Sequence, residues 1–197
     1  MRPLAHFMLW SLRLAHAETQ TTAAERDCLV RHASGCSTIV EIGVWHGVNT
    51  ARLREAMSED GTLWAVDPFF PGRLRVSLQQ LVAHREVAGR GRARVRWVRM
   101  TGEEAAPLVS SEAAGSVEFV FIDGDHRYEV VKREWELWAP RVAVGGCVAL
   151  HDSRSTPERD LREAGSYRAT EDVVLQDARF VLAEAVDSLT VVRRVPD

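Results

Sequence analysis

Apolar positions along this chain fall into short runs whose period changes from run to run. Ser37–Gly43 (STIVEIG), Thr62–Asp67 (TLWAVD), Ser116–Asp123 (SVEFVFID) and Gly145–His151 (GGCVALH) are nearly continuous in apolar residues, the pattern of strands covered on both faces. Arg94–Met100 alternates instead. Arg94 and Arg96, with Arg92 before them, point one way, and Ala93, Val95 and Trp97 the other, which predicts an edge strand with one wet face. Between these runs the spacing lengthens to that of helices over 23–33, Val48–Met57, Val76–Val87, Glu103–Ser110 and His126–Trp138. Thr22 followed by Glu25 predicts a capping box ahead of the first helix. Gly61 stops the second and Pro140 the last. Phe69–Arg75 and Asp152–Ser166 read as loops. A short helix, Thr170–Gln176, follows, and then two closing strands, Phe180–Ala185 and Leu189–Val195, joined at Asp187–Ser188.

Strands that alternate with helices predict an α/β fold: a mostly parallel, seven-stranded sheet with right-handed crossovers, helices on both faces and a C-terminal antiparallel strand. At 197 residues the chain is one domain in length. Residues 21–197 are read as that domain. Residues 1–20 are read as an amphipathic helix that acts as a lid or a dimer contact. The apolar stretch near the N-terminus is interrupted by His6, Arg13, His16 and Glu18 and is too short to span a bilayer.

Composition narrows the functional classes. A net charge of −3 gives no global attraction to nucleic acid or to an anionic membrane. The cluster Arg85, Arg90, Arg92, Arg94, Arg96 and Arg99 invites a nucleic-acid reading, but its alternation suits a solvated strand face, so nucleic acid is not the expected partner. Three cysteines, Cys28, Cys36 and Cys147, show neither disulfide nor zinc spacing and point to the reduced cytoplasm.

Ligands of such sheets sit at the carboxyl ends of the strands. That rule gathers Gly43–Gly47, Asp67, Thr101–Glu103, Asp123–His126 and His151–Asp152 along one edge. The two glycines of EIGVWHG let a ligand lie against the main chain, or simply make a tight strand-to-helix turn. The inner glycine of the dinucleotide fingerprint is missing, which disfavours a nicotinamide-dependent oxidoreductase. Asp67 suits the hydroxyls of a ribose, or else caps a turn. In IDGDHRY, Asp123 and His126 face one cleft if a helix begins between them. His126 is then a candidate general base, because an imidazole titrates near neutrality. Asp152 and Asp123 form a carboxylate pair suited to magnesium, or a metal-free cleft in which Asp152 orients a histidine.

Taken together, IVEIGVWHG, VDPF, FIDGDHRYE and GGCVALHD resemble the class I S-adenosylmethionine-dependent methyltransferases with their Rossmann-like sandwich, and more narrowly the bacterial small-molecule O-methyltransferases of sugar and catechol type. The resemblance implies that Glu41, Gly43, Trp45, Gly47 and Asn49 surround the methionine part of S-adenosylmethionine. Asp67 would hold its ribose, Gly102 and Glu103 would meet its adenine, and Asp123 would lie near the sulfonium. It also implies His126 as the base, with Asp123 in the catalytic set. Asp123 and Asp152 match metal-ligand positions for magnesium or another divalent ion. His151, where metal-dependent relatives often carry an acid, is the third candidate ligand. The expected substrate is a small molecule bearing a hydroxyl, of natural-product or sugar type. Methylation of a small amine or of RNA, or a non-catalytic cofactor-binding role, are the alternatives.

Overall fold

Seven strands form one sheet in the order β3-β2-β1-β4-β5-β7-β6. We describe residues 3–72, 75–113 and 116–196 of a computed structural model. Along the chain these are α1 Pro3–Ser11, α2 Ala23–Ala33, β1 Thr38–Ile42, α3 Val48–Ala56, β2 Thr62–Val66, α4 Leu78–Val87, β3 Arg94–Val98, α5 Gly102–Glu112, β4 Val117–Ile122, α6 Tyr128–Trp138, β5 Val142–Leu150, α7 Gly165–Ala169, β6 Phe180–Val186 and β7 Leu189–Arg194. The first five strands are parallel. β7 runs antiparallel between β5 and β6. β3 lies at the edge, as its alternation predicts.

The pleat divides the core. Val40, Val120, Ile122 and Val148 pack on the α5–α6 side, while Ile39, Phe119, Phe121 and Ala149 pack with Leu29 of α2 and Leu53 of α3 on the other. The order reverses between β1 and β4, so a crevice opens at their carboxyl ends. The capping box at α2 is present: Glu25 N donates to Thr22 Oγ1 at 3.1 Å and Thr22 N to Glu25 Oε2 at 2.7 Å. Thr22→Ala is expected to lower stability by about 1 kcal/mol, read as an earlier midpoint in urea without a change of slope.

Three elements differ from the sequence reading. The N-terminal helix does not span residues 1–20: it ends at Ser11, and a non-helical segment leads to α2. It buries His6 and Trp10 rather than an apolar stripe, leaving Leu4 and Met8 exposed. Trp10 Nε1 donates to Glu86 at 2.7 Å and the Arg85 guanidinium lies over the indole, so polar anchors on α4 decide how it docks. The polar loop after β5 is shorter than predicted, because α7 begins at Gly165 and continues as a π turn over Thr170–Val174. β5 begins earlier, at Val142, ahead of the glycines. Arg73 and Leu74 of the predicted 69–75 loop lie outside the described residues.

Candidate active site

The turn after β1 is held in place by the strands beside it. Gly43 N donates to Val66 O at 2.9 Å, and Asp123 N to Ile42 O at 2.8 Å. Gly43 has φ +90°, and a Cβ there would stand 2.1 Å from Asp123 O, so only glycine fits between β1 and β4. Asp67, at the end of β2, organises the same turn. Its Oδ2 accepts from Val44 N at 3.0 Å and Trp45 N at 3.1 Å, and its Oδ1 from Phe69 N at 2.7 Å. Trp45 is thereby held at φ +52° with its indole half exposed over the crevice. Gly47 caps α3, whose first amides face the same space.

Two cavities share Gly43, Trp45, Asp123 and Gly124. The larger, about 520 Å³, runs from Asp67 past Met100, Thr101, Gly102 and Glu103 to Glu134. The smaller, about 340 Å³, is bordered by Glu18–Gln20, Val48, Asn49 and His126. Of the residues singled out in the sequence, Gly43, Trp45, Asn49, Asp67, Gly102, Glu103, Asp123 and His126 border this space. Asn49 Oδ1 accepts from Thr21 Oγ1 at 3.0 Å, tying the N-terminal segment to the turn. Gly47 borders neither cavity, and nor does Glu41. Glu41 lies wholly buried within β1, both carboxyl oxygens lack partners, and burial pushes its pKa well above the ordinary range. His151 and Asp152 also lie behind the cavity walls.

No helix starts between Asp123 and His126. α6 begins at Tyr128, and a loop pinned by Asp125, whose Oδ1 accepts from Arg127 N at 2.9 Å, brings the two together. His126 Nδ1 lies 3.3 Å from Asp152 Oδ2, and Nε2 lies 3.7 Å from Asp123 Oδ1 without a hydrogen-bond partner. Arg159, from the loop after β5, clamps both Asp152 oxygens, at 2.6 and 2.8 Å. His151 Nδ1 is 2.8 Å from Asp123 Oδ1, and its Nε2 is 3.4 Å from Glu25 Oε2. Burial alone would lower the His151 pKa, but Asp123 and Glu25 outweigh it and hold it up at about 10. Burial raises the Glu25 carboxyl in turn, yet His151, Ser188 and Thr22 bring it down to about 2. Asp123 is likewise kept below its ordinary value against its burial, by His126 and His151.

This donor set does not fit an open divalent-metal site. Donor atoms of Asp123, His126 and His151 do lie within 4.8 Å of one another. However, His151 Nδ1 already lies 2.8 Å from Asp123 Oδ1 and its Nε2 3.4 Å from Glu25 Oε2, so both ring nitrogens face carboxylates rather than an open position. Asp152 already holds a guanidinium in the bidentate geometry that strongly favours it. The cluster therefore sets the cations His151 and Arg159 against the carboxylates Glu25, Asp123 and Asp152. One negative charge remains beside the His126 ring.

Sequence reasoning missed Arg159, Glu134 and the reach of Glu25. Arg159 sits in an aperiodic loop and gives no signal. Glu25 reads as a capping residue and is one, but its other oxygen also accepts from Ser188 N at 2.9 Å. The arginines of the edge are engaged on the surface. Arg90 and Arg92 pair with Glu55 and Glu59, and Arg96 pairs with Glu112 and lies over Trp64.

The profile of a family described as "Methyltransferase domain" matches residues 40–153, more than half of the chain. No curated protein sequence matches. Among solved structures, the chain is similar to the O-methyltransferase TomG of Streptomyces achromogenes, involved in tomaymycin synthesis and solved with S-adenosylmethionine. The TM-score is 0.67 at 15% identity, covering 100% of this chain and 91% of that one. It is similar to an O-methyltransferase of Bacillus cereus solved with S-adenosylhomocysteine, with a TM-score of 0.64 at 16% identity, covering 98% and 91%. It is also similar to an rRNA methylase of Streptococcus thermophilus, with a TM-score of 0.60 at 14% identity, covering 87% and 95%. At these identities the likeness is one of fold.

Proposed function

Since this chain belongs to the methyltransferase-domain family, we propose that it uses S-adenosylmethionine to methylate a hydroxyl of a small molecule, of natural-product or sugar type, with His126 as general base. The observation that carries this reading is His126 at the wall of the smaller cavity, its ring set between the carboxylates of Asp123 and Asp152. An amine acceptor would need less help of this kind, because a free amine attacks through its own lone pair.

S-adenosylmethionine, when bound, supplies an electrophilic sulfonium methyl. The residues of this chain bind and orient. The amides of the Gly43–Gly47 turn and of the first turn of α3 would donate to the methionine carboxylate. Asp67, with three main-chain bonds made, keeps lone-pair capacity for one ribose hydroxyl. Gly102 and Glu103 border the base. His126 accepts the proton of the attacking hydroxyl, while Asp152, clamped by Arg159 and 3.3 Å from Nδ1, faces the imidazolium that forms. Holding the two reacting groups in line does the rest.

The direct test is calorimetric binding of S-adenosylhomocysteine, followed by transfer of a labelled methyl group to a panel of phenols and glycosides, with amines and total RNA as controls. Label on amines or RNA alone would overturn the assignment. No step here runs through a metal, so exhaustive chelation is expected to leave turnover unchanged within about twofold. A loss of about a hundredfold or more that magnesium restores, the size a Lewis acid contributes, would overturn the metal-free reading.

A further inference from the structure

Glu134 lies on the face of α6 turned to the sheet, only 3% exposed, and it borders the larger cavity. Its Oε2 is buried without a partner. A Cβ on Gly102 would stand 2.3 Å from its Oε1, so the carboxyl sits directly under the first turn of α5. The adjoining walls, Ile42, Val66, Met100 and Val130, are apolar and suit a flat ring. An acid in such a place is either an expensive unpaired anion or a neutral group with one donor and one acceptor.

We propose that Glu134 reads the base of the cofactor: its protonated carboxyl donates to a ring nitrogen of adenine, and its second oxygen accepts from the exocyclic amine. An adenine edge presents that acceptor beside that donor. The inference rests on the cofactor reading above and adds to it the residue that selects the nucleobase. Burial, with the facing charges of Asp125 and Glu103, holds the Glu134 carboxyl up at about 8, so the proton is present at neutral pH. The other charged groups on the surrounding elements are Asp123 and Arg127 on the loop before α6 and Arg133 on α6 itself. Arg127 is paired with Asp125 and Arg133 with Glu103, so neither cation offsets the burial of Glu134.

The sign follows from the proton. Below pH 8 the acid donates and binding is at full strength; above it a carboxylate faces a ring nitrogen and binding weakens. Calorimetric titration of S-adenosylhomocysteine into the intact protein, from about pH 6.5 to about pH 9.5, tests this. Wild-type affinity is expected to fall about tenfold per unit above the titration of the acid. Glu134→Gln keeps a donor and an acceptor at every pH. It is expected to bind within about threefold of wild type near neutrality and to lose that part of the pH slope. The ligand's own amino group titrates identically against both proteins, so the difference between the two slopes belongs to Glu134. Glu134→Leu is expected to weaken binding about tenfold near neutrality, or about 1.4 kcal/mol. Identical slopes for wild type and Glu134→Gln, or full affinity in the leucine variant, would overturn the inference. Should the leucine variant not fold, the slope comparison decides alone. A wild type that binds no S-adenosylhomocysteine at any pH would instead overturn the cofactor reading.

Discussion

Replacing His126 with alanine is expected to lower turnover by about a thousandfold, within the range that a positioned general base contributes. Cofactor affinity should stay within about twofold. The split follows from where the groups sit. The cofactor's expected contacts are with main chain around Gly43 and at the start of α3, with Asp67 and with the first turn of α5, and none of them is made by the imidazole. His126 borders the smaller cavity and forms no wall of the larger one. Its removal opens space beside Asp152, whose charge is already matched by Arg159, so the buried carboxylate is not stranded. His126→Gln preserves much of the shape without the basic nitrogen and should be nearly as slow as alanine. Retention of a tenth or more of wild-type turnover by either variant would remove His126 from the base role and leave proton loss to water. A parallel loss of cofactor affinity would make it a positioning residue instead.

Most of this site can be read from the sequence because the sheet places it there. Runs such as SVEFVFID have only one use, a strand buried on both faces, and whatever follows such a run in a parallel sheet arrives at the same edge. Gly43, Asp67, Gly102, Asp123 and His126 meet for that reason, although a loop rather than a helix turn joins the last two. What the sequence hid was held by contacts with no period. Arg159 reaches Asp152 from an irregular loop, and without it Asp152 looks like a vacant metal ligand. Glu25 reaches Ser188 and His151 from the other end of the chain while also capping its own helix. Glu134 is a different case. Val131, Trp135 and Trp138 mark the buried stripe of α6, and position 134 lies on that stripe by the same spacing. A lone acid there was a visible signal of a buried, functional or strained group. The N-terminal helix misled because its other large apolar residues, Leu4, Phe7, Met8 and Leu9, outnumber its anchors, and the anchors are His6 and Trp10.

Gly43→Ala is expected to be the most damaging single substitution to the fold, costing about 4 kcal/mol, the size reserved for collisions that a core cannot relax. Two costs combine. An alanine at φ +90° carries intrinsic strain of about 1–2 kcal/mol. The rest is collision, since the new methyl would stand 2.1 Å from Asp123 O and 2.7 Å from Gly124 N. Neither strand can yield cheaply. β1 is bonded to β2 on one side and β4 on the other, and the bonds from Gly43 N to Val66 O and from Asp123 N to Ile42 O straddle the contact. Gly35 provides the control, with φ +75° but nothing within 4 Å of an added Cβ. Gly35→Ala should therefore show the conformational strain alone, about 1 kcal/mol. In urea, with a slope of about 2 kcal/mol per molar, the two midpoints should drop by roughly 2 M and 0.5 M. Any Gly43→Ala protein that folds should bind S-adenosylhomocysteine far more weakly, because the displaced strand ends carry Asp123 and the turn that Asp67 holds. Equal midpoints for the two variants would mean that β1 and β4 separate freely at their carboxyl ends. The site would then be a hinge rather than the rigid cradle that in-line transfer requires.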